Sequence, residues 1–472
     1  MASISKFYGK TMVSRKIISE NTWLGSNRRL AKSIGLPVRN FLGIEASSGI
    51  LLVVAALIAL IWANSPWSGS YNDLWATEIR VSLGDSISLD HHGHPITLGQ
   101  FVNDVLMVLF FFVVGLEIKR EMVTGHLKKL RDALLPLIAA VGGMVVPAVI
   151  FFAFNSSGEA SDGWGIPMAT DIAFAIGVVS LLGPRVPSVM KVFLLTLAIV
   201  DDIGGILVIA FFYTEDLASE WLYVSALTVL GVIVLKKLNV RYTPAYIALG
   251  ILLWYSLFQS GVHATIAGVI MGLLTPATAL ISDKNTVSEA IRPAMEAQTD
   301  FSGLRKATFH LNASMPTTER FENLLHPLTG FIIVPIFALA NAGVEISSNS
   351  LSDAASSGVT RGVVVGLVVG KIVGVSLFTF IAVRLRVSKL PNGSNFRHVL
   401  GISAISGIGF TVSMFMTALA YDNAILQDES KVGILLASAL AAIIGLFFLR
   451  SVKVDEQEAS FLEENKEVAQ FN

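Results

Sequence analysis

The chain has no cysteine. A disulfide framework, a thiolate metal site and a cysteine nucleophile are thereby excluded, although the absence says nothing about compartment. Charge is scarce as well: 15% of the 472 residues are Asp, Glu, Lys or Arg, against 53% hydrophobic residues and a mean hydropathy of +0.67. That balance excludes an ordinary soluble protein of this length and indicates a polytopic membrane protein. Neither sign dominates, with 34 basic and 35 acidic residues and a net charge of -1. No nucleic-acid partner and no cofactor are expected. Residues 1–40 are basic and serine-containing but lack the hydrophobic stretch of a signal peptide, which leaves an organellar transit peptide or a cytoplasmic extension held at an anionic leaflet.

What the chain has in quantity is long apolar runs. Runs able to cross about 30 Å of hydrocarbon number about twelve, near residues 46–64, 99–118, 133–154, 164–182, 190–213, 220–236, 244–258, 262–276, 324–343, 362–384, 398–420 and 431–450, the seventh and eighth being short. Basic residues cluster in every second connection: Arg28, Arg29, Lys32 and Arg39 before the first span, then Lys119, Arg120, Lys128 and Lys129, then Lys236, Lys237 and Arg241, then Arg384, Arg386 and Lys389. The intervening loops are mainly acidic, with Asp73, Glu78, Glu159, Asp162 and Glu220. By the positive-inside rule both termini are cytoplasmic. The organisation expected is a basic extension (1–40), a transmembrane domain (41–450) interrupted by a polar cytoplasmic loop (281–320), and an acidic, solvated tail (451–472).

A few charges remain inside the spans. Asp201 and Asp202 stand side by side in the run VFLLTLAIVDDIGGILVIAFF. Each carboxylate at a helix centre costs roughly 2.5 to 3.5 kcal/mol against about 0.3 to 0.6 gained per Leu, Ile, Val or Phe. Such a pair is hard to explain by packing, whereas acids facing a cavity can bind a cation or carry a proton. Asp171 follows Thr170 in a span that opens Gly-Ile-Pro, so its helix is expected to be interrupted. Lys371 lies about 14 Å deep in its span, beyond the reach of snorkelling. It must be paired, deprotonated or facing a cavity. Gly401, Gly407 and Gly409 either break the eleventh span or allow close helix packing. Two interrupted segments in corresponding positions of two halves point to a transporter of inverted repeats, with its site at the midplane where the two cross. There Asp171 would offset positive half-helix N-termini and Lys371 negative C-termini.

The strings FVNDVLMVLFFFVVGLEIKRE (101–121), ATDIAFAIGVVSLLG (169–183), LAIVDDIGGI (197–206), SGVHATIAGVIMG (260–272), PIFALANAGV (335–344), GLVVGKIVGVSLF (366–378) and SGIGFTVSMF (406–415) occur in this order. Over about residues 41–450 the chain resembles the NhaA family of sodium/proton antiporters, itself an example of inverted-repeat architecture. The resemblance implies an all-α polytopic fold in the bacterial inner membrane, and no enzymatic activity. It implies that Asp201 and Asp202 bind the cation and protons. Thr170 and Asp171 would belong to the broken-helix assembly, with Lys371 as counter-charge, paired with Asp201 in one reading. Glu117, Glu322 and His326, with His263 elsewhere, correspond to residues linked to pH regulation. Asn323 stands where the family pattern has a histidine. Against these roles stand plainer ones: dipole compensation for Asp171 and Lys371, a solvated Glu117, and boundary histidines with satisfied polar groups.

Burial raises the proton affinity of a carboxylate and a nearby cation lowers it, so sodium and protons compete for the same oxygens. If only loaded forms switch access, competition alone yields exchange. Two carboxylates can release two protons per monovalent cation. The expectation is electrogenic exchange of cytoplasmic Na+ or Li+ for external H+, pH-regulated and serving sodium and pH homeostasis. A sodium-coupled organic-anion symporter of related fold is the alternative. An intramembrane aspartyl protease is disfavoured because adjacent acids on one helix point about 100° apart, and a channel because paired buried acids hold a cation too tightly. Ion selectivity, stoichiometry and oligomeric state, a homodimer included, are left open.

Overall fold

The structure is a computed structural model that describes residues 47–80, 82–83, 87–91, 94–214, 217–280, 310–311, 313–346, 356–391 and 393–452. The basic extension, almost all of the acidic tail and most of the 281–320 loop lie outside these residues. Helices follow the apolar runs: α1 Ser47–Ala63, α2 Ser68–Ala76, α3 Leu98–Val123, α4 Leu130–Phe154, a 3₁₀ segment Glu159–Met168 leading into α5 Ile172–Ser180, and α6 Ser188–Phe212. Then come α7 Ser219–Lys237, α8 Thr243–Gln259, α9 Thr265–Leu274, α10 Thr317–Asn341, α11 Gly358–Arg384, α12 Phe396–Ile405, α13 Phe410–Ala420 and α14 Ala424–Arg450.

Among the described residues seven helices are long and apolar enough to cross a membrane alone, and three bent pairs raise the number to ten. The last two of the expected twelve are α8 and α9, of 17 and 10 residues, both short of the roughly 20 needed to cross unaided. α10 starts at Thr317, inside the segment expected to be loop, and α14 starts at Ala424, before its expected span. Polar first turns such as Thr317-Thr-Glu-Arg lengthen a helix without adding hydropathy. Short antiparallel strands between residues 78 and 97 are a further departure from the purely helical expectation. They lie outside the apolar runs and leave the membrane fold all-α.

The order continuous, broken, continuous occurs twice: α4, the 3₁₀–α5 pair and α6, then α11, the α12–α13 pair and α14. The broken pairs bend by 42° and 47°. They run antiparallel, because Tyr421 at the end of α13 donates to the Ala160 carbonyl at the start of the 3₁₀ segment, 2.8 Å. At the other end Arg185, after α5, shares a cavity with Asn395 and His398, at the start of α12. Neither Gly407 nor Gly409 has a positive φ. The eleventh span is broken at these glycines, and Gly407 also lets the break approach the Leu367 carbonyl, which a Cβ would hit, so both readings of these glycines are realised.

α4 and α11 also meet backbone to backbone. A Cβ on Gly374 would land on the Gly142 carbonyl, and one on Gly142 on the Gly374 carbonyl. Small residues at such crossings let helices associate where no hydrophobic force drives them together. Gly374→Val is therefore expected to cost about 3 kcal/mol or more through overpacking, read as a clear loss of thermal stability in detergent. Gly205→Ala, where a Cβ meets nothing within 4 Å, serves as the control and should melt unchanged or higher. Equal melting of the two variants would refute the packing argument.

Candidate functional site

The two breaks meet at Ala169–Asp171 and Ser406–Gly409. Asp171 has extended backbone (φ -80°, ψ 102°) and caps its own helix, its Oδ1 accepting from the Phe174 N–H at 3.0 Å. Its Oδ2 accepts from the Thr411 N–H at 3.1 Å and from the Thr411 hydroxyl at 2.6 Å. One carboxylate thus serves the positive ends of both half-helices, α5 and α13. The Asp171 N–H donates to the Ile408 carbonyl at 2.7 Å. The Thr170 hydroxyl lies 2.8 Å from the Ser406 carbonyl and 2.8 Å from Asp201 Oδ2, and its single proton serves one of them at a time.

Lys371 comes from α11, directly after a π turn at Gly366–Gly370. Glycines are needed there because Cβ atoms on Gly366 and Gly370 would press on Pro167 and Pro147 at 2.9 Å. The Lys371 side chain is fully buried. Its Nζ donates to the Met168 carbonyl at 2.6 Å, to Thr170 Oγ1 at 3.1 Å and to Asp201 Oδ2 at 2.6 Å. The ammonium therefore faces the negative C-terminal end of the 3₁₀ segment and a carboxylate together. Of the options open to a deep lysine, pairing is the one this fold takes.

The helical offset of about 100° between neighbours separates the two aspartates. Asp201 is fully buried in the ion pair. Asp202 turns to a cavity of about 530 Å³, which it lines with Ser48, Glu117, Thr170, Asp171, Lys191, His326, Thr329 and Thr411. Asp202 Oδ1 and Asp201 Oδ1 are buried without a hydrogen-bond partner among the described residues. Oxygen donors facing a cavity suit a hard monovalent cation better than a transition metal.

Of the residues expected to regulate, Glu117 and His326 line this cavity, Glu117 half-buried at its wall. Glu322 pairs with Arg120 and lies within electrostatic reach of Glu117 and His326. His263 is apart from them, its Nε2 against the Tyr213 carbonyl at the other end of the helices. Sequence reasoning missed Thr411, which stands at the second position of α13 and donates its hydroxyl to Asp171 without capping its own helix. It also missed Ser48 and Lys191, which nothing local distinguishes. The carbonyls of Met168, Ser406 and Ile408 carry no side-chain signature at all.

The family model described as Na+/H+ antiporter 1 matches residues 39–449. The Na(+)/H(+) antiporter NhaA 3 of Frankia alni is 44% identical over 413 residues, covering 88% of each chain. Na(+)/H(+) antiporter NhaA 2 of Myxococcus xanthus is 43% identical over 428 residues, 89% of this chain and 90% of its own. Among solved structures, the sodium proton antiporter MjNhaP1 of Methanocaldococcus jannaschii aligns with 88% of this chain and 99% of its own, at 13% identity and a TM-score of 0.45.

Proposed function

The chain belongs to the Na+/H+ antiporter 1 family of transporters, and on that premise we propose that Asp202 is the carboxylate at which Na+ and H+ compete, with Asp201 as a second, Lys371-gated proton site. The protein is a multi-pass membrane protein that exchanges Na+ for H+; sodium-coupled anion uptake has no support. The observation that carries the site reading is the unequal setting of the two acids. Asp202 borders the cavity with an oxygen free to take a ligand, while Asp201 is held by Lys371.

Of the two aspartates, Asp202 is the one that a sodium ion entering the cavity meets, with Thr170 and Thr411 also among the lining residues. Its charge favours loss of any proton from that carboxylate. A proton on Asp201 would break the ion pair and leave the Lys371 ammonium on Thr170 and the Met168 carbonyl. Two acids with linked titration then release two protons for one cation, which makes exchange electrogenic. Glu117, Lys191 and His326 line the cavity on the side of the Lys119–Arg120 cluster, which supports a cytoplasmic mouth. The reading extends to Li+ as a second cation, to the bacterial inner membrane with both termini cytoplasmic, and to Glu117, Glu322 and His326 as the pH-regulatory group. Thr170 and Asp171 then have supporting roles, holding the crossing together.

Proteoliposomes with a preset proton gradient test this directly. Addition of NaCl or LiCl is expected to dissipate the gradient and to drive net charge movement on a solid-supported membrane, with KCl far less effective. A gradient indifferent to sodium at every pH would overturn the exchange, and exchange without current would overturn the stoichiometry.

A further inference from the structure

At the Lys119–Arg120 side of the fold, a cavity of about 580 Å³ lies among Arg185, Asn395, Arg397, His398 and Val452, and no acid is among its described lining residues. It joins the turn after α5, the start of α12 and the end of α14. The guanidinium residues Arg185 and Arg397 are exposed. His398 is only 3% exposed, and its Nδ1 accepts the Asn395 N–H at 3.1 Å. A ring nitrogen that accepts leaves the other as the donor. That donor, Nε2, is directed at the Arg185 backbone. The pocket thus sets two exposed guanidinium groups, with no described acid, beside the start of α12, whose N-terminus Asn395 caps by accepting from the His398 N–H at 3.1 Å.

We propose that this pocket docks the acidic stretch of the same chain at residues 455–464, which carries Asp455, Glu456, Glu458, Glu463 and Glu464. Val452 already lines the pocket. Asp455 follows three residues later, a reach of at most about 10 Å. A tether this short holds its carboxylates at an effective concentration on the order of millimolar or higher. Arginine accepts carboxylates bidentately, so the tail outcompetes a dilute free anion, and salt weakens the contact. A tail seated there links the ends of α5, α12 and α14, and so restrains the broken pair on which the ion site is built. That last consequence rests on the transport reading; the docking does not.

The absence of cysteine makes the test clean. Ser394→Cys with Gln457→Cys, in the full-length protein reconstituted in phosphatidylcholine, is expected to form a disulfide with copper phenanthroline several-fold faster than the same pair carrying Asp455→Asn, Glu456→Gln and Glu458→Gln. Arg185→Gln with Arg397→Gln should slow it equally, as should high salt. Equal rates in all of these would overturn docking. Loss of the cross-link when phosphatidylglycerol is added would assign the pocket to a lipid headgroup and overturn it as well. The disulfide-locked protein is expected to exchange several-fold more slowly, with recovery in dithiothreitol. A cross-link that forms without changing the rate overturns the restraint, whereas a reduced protein that never responds to sodium counts against the transport reading alone.

Discussion

Asp202→Asn is expected to abolish sodium-driven proton movement while leaving a folded protein. Asparagine matches the carboxylate in shape, and among the described residues Asp202 Oδ1 makes no hydrogen bond whose loss would unfold its surroundings. What the substitution removes is charge. A carboxylate and a monovalent cation about 4 Å apart attract by roughly 4 kcal/mol at an effective dielectric of 20, which corresponds to about a thousandfold in affinity. The amide also takes no proton in the working range, so both sides of the competition are lost together. Exchange in proteoliposomes should fall to background for Na+ and Li+, with melting in detergent close to that of the parent. Exchange at the parental rate would move the ion site elsewhere, even with the family assignment intact.

The second large effect is on the buried pair. Lys371→Met leaves Asp201 charged, enclosed and without a counter-ion, and leaves the Met168 carbonyl without its donor. Removing one partner of a buried ion pair costs about 3 to 5 kcal/mol, so a pronounced drop in thermal stability is expected. Asp201→Asn should recover much of it when combined with Lys371→Met, because replacing a buried pair as a unit is often near neutral. The double-mutant cycle therefore predicts a coupling of more than about 1 kcal/mol. With Asp202 untouched, the double variant is also expected to retain exchange with less charge moved per cation. Strictly additive stability losses would show that the pair is not the unit described, and unchanged current per sodium would remove Asp201 from the proton count.

Most of the membrane architecture was legible because its causes are local. The free energy of a span is close to a sum over its own residues, so apolar length marked the spans, and mismatches fell where local signals are weak: the short polar α2, the polar first turn at Thr317, the polar stretch 427–431 early in α14, and strands two to four residues long. The proline and threonine before Asp171 announced one break, and the glycines at 407 and 409 the other, where they also serve close approach to Leu367. Misplaced charges likewise announced themselves by cost, which is why Asp171, Asp201, Asp202 and Lys371 stood out without coordinates.

Partnership was not legible in that way. Whether Lys371 meets Asp201 or Asp202 depends on how α11 crosses α6, on a π turn before the lysine and on two glycines set against prolines. Which acid is left facing a cavity follows from that crossing, as do the cavity-wall position of Glu117 and the remoteness of His263. By itself the sequence determined the membrane class, the spans, the two interruptions and the charges too expensive to be incidental, because each is a property of a short stretch and its solvent. Only the tertiary structure decided which of those charges neutralise each other and which stay open to an ion, because contacts between residues some 200 apart are set by the packing of whole helices.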